Sequence, residues 1–443
     1  MKLWQKNTAT HTLVETFTVG LDREMDIQLA TADVLGSLAH TKMLHSIGLL
    51  SAADLAAIQQ ELKNIYKQIA DGNFVIEANV EDVHSQIELL LTQRIGEAGK
   101  KIHSGRSRND QVLVDVKLYL RIVIKEIVAS SKELFDLLLQ LANHHKDKLL
   151  PGYTHLQIAM PSSFGLWFGA YAESLIDDIE LMLAAYKISN KNPLGSAAGY
   201  GSSFPLNRQL TTDLLGFNNL NYNVVYAQMG RGKTERIVAQ AISSIAATLN
   251  KMAMDACLFM NQNFGFITFP DELTTGSSIM PHKKNPDVWE IMRGRSNQLQ
   301  ALPNQIAMLN TNLPSGYHRE MQLLKETLFP AFTTILSCLD MAKLMLNNIK
   351  IKDNILDDPK YQYLFSVEEV NKLVLAGTPF REAYKQVGQA IEAGEFGGKY
   401  TLNHTHEGSI GNLNLPEIQK MMDELLAQFN FEKVDKAIED LVK

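Results

Sequence analysis

The sequence predicts a mainly all-α fold, a bundle of long central helices flanked by two smaller helical domains. Neither glycine nor proline occurs between Gly105 and Pro151, or between Gly232 and Gly265, so nothing in either stretch stops a helix. Inside these stretches apolar residues recur every third or fourth position, as in "VLVDVKLYLRIVIKEIV", which is the period of one helix face. The third observation is negative. Period-two alternation is nearly absent, and the best strand candidate is the short run "NYNVVY" at 221–226.

In chain order, helical patterning covers residues 24–49, 51–71 and 81–95, which defines an N-terminal helical domain over 1–105. Residues 106–150 read as one helix well beyond the usual globular length. Further helices are predicted at 164–190, at 233–264 and after Pro330, where the chain reads "AFTTILSCLDMAKLMLNNIKI". Together they make a central bundle over 106–352, and 353–443 forms a small C-terminal helical domain. Helices this long have more apolar face than one chain can cover. A homotetramer with a shared central bundle is therefore expected.

The formal net charge of −7 gives no general attraction for nucleic acid or for an anionic membrane, so anion recognition must be local. Cys257 and Cys338 lie in apolar helical contexts and read as two buried thiols, not as a disulfide framework or zinc site. No His, Cys and carboxylate spacing suggests a metal site. The N-terminus lacks the apolar core of a signal peptide, and no later run reads as long enough to span a bilayer. A cytoplasmic protein is predicted.

Four polar stretches stand between the helices: "KKIHSGRSRNDQ" at 100–111, "PGYTHLQ" at 151–157, "NPLGSAAGYGSS" at 192–203 and "GSSIMPHKKNPD" at 276–287. Taken singly, each reads more readily as a solvated turn. Their position argues otherwise, because each lies at the end of a long helix and helix ends in a bundle can converge. By contrast "AQMGRGKTE" at 227–235 only mimics a phosphate loop. The first glycine of that pattern falls on Ala227 and no αβ alternation surrounds it, so a flexible basic loop is expected.

In the last polar stretch, "NPD" reads as a helix start with Asn285 as N-cap, Pro286 in the first position and Asp287 facing the dipole. Upstream, Gly276, Ser277 and Ser278 form a segment able to bring a hydroxyl onto a ligand. Lys283 and Lys284 supply charge that holds carboxylates and lowers the cost of a serine alkoxide. This is the composition of a lid that carries both a base and an anion clamp.

"GSSIMPHKKNPD" resembles the signature loop of the fumarase/aspartase superfamily. Within it, "SGRSRNDQ", "PGYTHLQ", "LGS" and "GTPFREA" are similar to the argininosuccinate lyase branch, over residues 17–390. The resemblance implies a fumarase-like helical fold and the β-elimination of argininosuccinate to L-arginine and fumarate, the last step of arginine biosynthesis. Neither metal nor organic cofactor is required. It implies that Ser277 is the general base and that His155, hydrogen-bonded to Glu290, is the acid or relay at the leaving nitrogen. Lys283 and Asn285 hold the carboxylate on which charge builds. Ser37, Arg108, Asn109 and Thr154 grip the substrate carboxylates, while Tyr317, Gln322 and Lys325 hold the arginine half. It further implies active sites shared between chains of the tetramer.

The chain departs from the branch pattern at "GSAAGYG" (195–201), "TERI" (234–237) and "SVEEV" (366–370). His282 matches the adenylosuccinate lyase version of the loop, which makes that enzyme the first alternative. The other alternative is a non-catalytic structural protein on the same scaffold, of the lens-crystallin kind. "RSRNDQ" and "PFREA" oppose the first. The presence of Ser277, His155, Glu290 and Lys283 opposes the second.

Overall fold

The computed structural model describes residues 11–398 and 402–443. The N-terminal part is built from α1 (Thr12–Val19), α2 (Asp22–Asp26), α3 (Ala30–Ser46), α4 (Ala52–Ala70), α5 (Val83–Ile95) and α6 (Glu97–Lys100). Side chains cap the starts of three of these helices: His11 accepts from the Leu13 amide, Ser51 from the Asp54 amide and Asp82 from the Ser85 amide, satisfying N–H groups that have no partner inside the helix. The glycine- and proline-free stretch becomes α7 (Arg108–His144), 37 residues long.

After α7 come the paired strands β1 (Leu149–Thr154) and β2 (Gln157–Ser163), then α8 (Phe164–Ser189), β3 (Lys191–Asn192), α9 (Arg208–Leu214), β4 (Asn219–Leu220), α10 (Val224–Met229) and α11 (Lys233–Met260). The chain continues through β5 (Ile267–Thr268), β6 (Thr275–Gly276), β7 (Lys284–Asn285), α12 (Asp287–Leu309), α13 (Leu323–Asn347) and β8 (Lys350–Ile351). The long helices pack together, α11 along α12 and α8, and α7 along α8 and α13. Their shared core runs through Leu118, Ile124, Phe168, Ile179, Ile242, Leu249 and Leu339. This is the predicted helical bundle.

The C-terminal part holds α14 (Ser366–Leu375), α15 (Phe380–Glu392), α16 (Leu415–Leu426) and α17 (Phe431–Val442). α14 and α15 bury a small core of their own around Val370, Ala383 and Val387. α16 and α17 instead join the main core through Ile418, Met422, Leu425 and Leu441, and Phe429 packs tilted and Phe431 edge-on against Tyr186 of α8.

Several local expectations are corrected. "NYNVVY" is not a strand. Asn223 accepts from the Tyr226 amide and starts α10, so the cap outweighs the β-preference of Val224, Val225 and Tyr226. Among the described residues the longest strand pair is at 149–163, a stretch without apolar alternation. Pro330 lies inside α13 instead of ahead of it. It is exposed there, where water can reach the carbonyl left without a donor. The segment Arg319–Asn347 is long and apolar enough to cross a membrane by length and composition, although half of its most apolar window is buried in the fold. Cys338 is buried, but Cys257 is only partly so.

The stretch at 227–235 is a rigid joint, not a flexible basic loop. Arg231 is buried, pairs with Glu235 at 2.7 Å and donates to the Met321 carbonyl. Gly232, at φ 76°, leaves no space for a Cβ because the Asn310 amide fills it.

Asp110 ties the start of α7 to the 192–203 stretch. Its carboxylate accepts from the Ser107 amide at 2.8 Å and from the Gly195 and Ala197 amides at 2.9 Å each. Burial still raises its pKa to about 6. Asp110→Ala strands these donors, at about 1–3 kcal/mol for each one left buried. A clear fall in the denaturant midpoint is expected; an unchanged midpoint would show that the bracket is idle.

Candidate active site

A cavity of about 440 Å³ opens where α2, the start of α5, the first turn of α7 and the entry to α13 meet. Arg108 and Asn109 reach it from α7, Tyr317 and Gln322 from the stretch leading into α13, and Lys325 from the first turn of α13. Five of the residues expected to bind substrate therefore share one wall. Arg108 donates to Asp82 at 2.5 Å. The side-chain amide of Asn109 makes no hydrogen bond among the described residues and is free for a ligand. Gln322 donates to the Thr18 and Val19 carbonyls, which ties the end of α1 to a residue of the cavity wall.

Sequence reasoning missed much of the wall: Asp22 and Asp26 from α2, Glu81, Asp82 and His84 at the start of α5, and Arg231 and Arg319. The spacing in "DREMD" places Asp22 and Asp26 one helical turn apart, which was a readable signal. The floor was not readable. His84 Nδ1 lies 2.5 Å from Asp33 Oδ2 and 3.3 Å from Asp115 Oδ2. Gln111 also donates to Asp33. Burial opposes ionisation of Asp33, but His84 and Arg106 hold its carboxyl well below the usual range. Burial and Asp33 push Asp115 well up, favouring its neutral form. Three ligating groups thus converge although no sequence spacing suggested it. The Arg106 guanidinium beside them already supplies positive charge.

Ser37 is not on the cavity wall, contrary to expectation. It is fully buried in α3, where its hydroxyl accepts from Arg106 at 3.0 Å. It holds a cation of the floor and cannot grip a ligand from there.

The other candidates lie outside the cavity. His155 and Leu156 form the two-residue turn between β1 and β2, at φ 55° and 58°. Such a turn demands positive φ at both positions and normally uses Asn and Gly. Here it projects an exposed histidine and a leucine that is 80% exposed. Thr154 is the last residue of β1 and pairs with Gln157.

The Ser277 loop hangs from a short neck. Thr275 pairs with Asn285 and Gly276 with Lys284, and Asn285 Nδ2 donates to the Gly276 carbonyl. Asn285 is therefore a neck residue and not the N-cap of α12, a place taken by Pro286. The ladder holds Asn285 extended, which removes it from the capping position. Ser277 Oγ accepts from the Met280 amide at 3.1 Å, and Lys283 and Glu290 are exposed. No hydrogen bond or ion pair among the described residues joins His155 to Glu290, Ser277 or Lys283. Within one chain the expected catalytic set is not assembled.

A family model described as "Lyase" matches residues 5–301. The chain is 62% identical over 441 residues to the argininosuccinate lyase of Parabacteroides distasonis, covering 100% of this chain and 99% of that one. It is 38% identical to the argininosuccinate lyase of Stenotrophomonas maltophilia, over 92% of this chain and 93% of the relative. Among solved structures, an EDDS lyase in complex with formate superposes with a TM-score of 0.78 at 20% identity, covering 98% of this chain and 95% of the other. A fumarate lyase:delta crystallin from Brucella melitensis gives 0.72 at 17% identity, over 95% of both chains. At these identities the solved structures establish the shared fold. The full-length identity goes further: the chain belongs to the argininosuccinate lyase family of the fumarase/aspartase superfamily.

Proposed function

We propose that the protein converts argininosuccinate to L-arginine and fumarate by β-elimination. The observation that carries this reading is full-length identity of 62% with an argininosuccinate lyase, in a chain that keeps Ser277, His155, Lys283 and Glu290. Release of fumarate from argininosuccinate, followed by ultraviolet absorbance, tests it. Turnover of adenylosuccinate instead would overturn it.

The chemistry explains the residue types. A proton on carbon next to a carboxylate is weakly acidic, so its removal leaves an aci-carboxylate dianion that must be stabilised as it forms. Ser277 takes the proton, and Lys283 and Asn285 face the growing charge. The C–N bond then breaks, its electron pair leaves with the guanidino nitrogen, and His155, oriented by Glu290, returns a proton there. Arg108, Asn109 and Thr154 grip carboxylates, and Tyr317, Gln322 and Lys325 take the arginine half.

The separation of these groups supports a site built from several chains. His155 on its hairpin, the Ser277 loop and the cavity wall then come from different subunits of a homotetramer. The exposed Leu156 and Ile279 suit surfaces buried on assembly. A cytoplasmic location fits a small-molecule biosynthetic enzyme of this kind.

Asn109→Leu is expected to abolish fumarate release with no change in melting temperature, because the amide it removes has no structural partner. Loss of stability in step with activity would make Asn109 a structural residue.

A further inference from the structure

Under the cavity, α3, α5 and α7 meet around a carboxyl group with nothing to accept from. Asp115 of α7 is 0% exposed, and neither of its oxygens receives a well-directed hydrogen bond from the described residues. Oδ1 faces Gly36 of α3, where a Cβ would lie 3.4 Å away. Oδ2 lies 3.3 Å from His84 Nδ1, but that nitrogen carries a single hydrogen, and Asp33 Oδ2 at 2.5 Å takes it. The buried Arg106 donates to Ser37 at 3.0 Å and makes no hydrogen bond to Asp115.

An ionised Asp115 would be a buried charge without a donor, which is strongly disfavoured. A protonated one is itself a donor. Asp33 is the acceptor within reach: one atom each of Asp33, His84 and Asp115 lie within 4.8 Å of one another. Burial first, and then the charge of Asp33, hold the proton on Asp115. A proton completes Asp115 without adding charge to a floor where Arg106 already stands against Asp33. A metal ion would add charge beside that guanidinium.

We propose that Asp115 is a neutral acid that donates its carboxyl hydrogen to Asp33, and that this bond positions His84 for the reaction, a role that rests on the lyase reading above. The bonds then run in series from Asp115 to Asp33 to His84. Asp33, also held by Gln111 at 2.7 Å, keeps the ring hydrogen of His84 on Nδ1. The ring lines the cavity, and its Nε2 makes no hydrogen bond among the described residues. The tautomer and tilt of that cavity-facing edge are thus set by the partner of the other nitrogen. Asp115 does not line the cavity. It is a positioning residue that acts through Asp33 and His84.

Two substitutions and one spectrum of the assembled protein test this. Asp115→Asn keeps the shape of the acid and a donor for Asp33, and it cannot ionise, so it should retain most of the wild-type kcat and KM. Asp115→Ala removes the donor and should lower kcat/KM by up to about 10²-fold, the scale of a group misplaced by about 1 Å. An ionised Asp115 would make both variants fail alike. Infrared difference spectra of wild type against Asp115→Asn, taken at mildly alkaline pH where ordinary carboxyl groups are ionised, report the proton. The C=O stretch of a protonated acid should be present in the wild type and lost in the variant. Absence of that band, Asp115→Asn as impaired as Asp115→Ala, or Asp115→Ala with wild-type kinetics would overturn the proposal. So would a metal ion that copurifies with the wild type and is lost from Asp115→Asn. If Asp115→Ala does not fold, the band and the Asp115→Asn kinetics decide. A wild type that shows the band but releases no fumarate from argininosuccinate leaves the Asp115–Asp33 bond standing and removes the lyase reading. Fumarate release without the band does the reverse.

Discussion

Ser277→Ala lowers kcat by roughly 10²–10⁴-fold, the range of a lost general base, while arginine still binds the cavity. Both halves of that expectation come from the geometry. Ser277 hangs on a loop whose neck is made by Thr275, Gly276, Lys284 and Asn285, and the neck does not depend on the serine side chain. Among the described residues the hydroxyl accepts only from amides of its own turn, so its removal leaves the core intact. The cavity wall proposed to take arginine contains no residue of this loop. A base acting only in the transition state costs kcat and spares ground-state binding. Single-turnover measurement of fumarate release, with arginine affinity measured alongside, separates the two. An alanine variant with near wild-type kcat would remove Ser277 from the mechanism, and a variant that also lost arginine would point to a distorted site.

The parts of the fold that were legible in the sequence are those written in local punctuation. α7 and α11 could be read because glycine and proline are absent between their ends and the apolar period is unbroken. The β1–β2 hairpin could not. Pro151 and Gly152 interrupt its first strand, and its turn is His155–Leu156, which carries none of the Asn-Gly chemistry that marks such turns. Residues forced to positive φ without glycine are held there by their surroundings, and a single sequence does not display surroundings. The burial of Ser37 has a related cause. The resemblance alone placed it among the substrate-gripping residues, yet at Gly36 beside it α3 packs against Val114 and Asp115 of α7, within 3.4 Å of where a Cβ would sit. The Asp33, His84 and Asp115 floor unites three separate helices, so no spacing could announce it. Of the cavity residues, Arg108 and Asn109 sit in a polar stretch at the start of a long helix, whereas Tyr317, Gln322 and Lys325 were named by resemblance alone. Asp22 and Asp26 were missed because a pair of acids in a short helix looks like a solvated face until Lys325 is seen between them.

Subunits carrying His155→Asn and subunits carrying Ser277→Ala, each inactive alone, should recover activity when dissociated and reassembled together. The expectation follows from what one chain lacks. His155 projects from the β1–β2 turn, Ser277 from the loop between β6 and β7, and no hydrogen bond or ion pair among the described residues joins them. If each site takes its histidine from one subunit and its serine from another, random assembly of equal amounts leaves about a quarter of sites with both residues intact. Activity should then return to about that fraction of wild type. The same arithmetic excludes the alternative: if one chain supplied both residues, every site would carry one lesion and no mixture could recover. Light scattering on the reassembled material must show tetramers for the comparison to hold. Confirmed tetramers with no regained activity would sink the shared site, and they would require a rearrangement that brings the His155 hairpin and the Ser277 loop together within one chain.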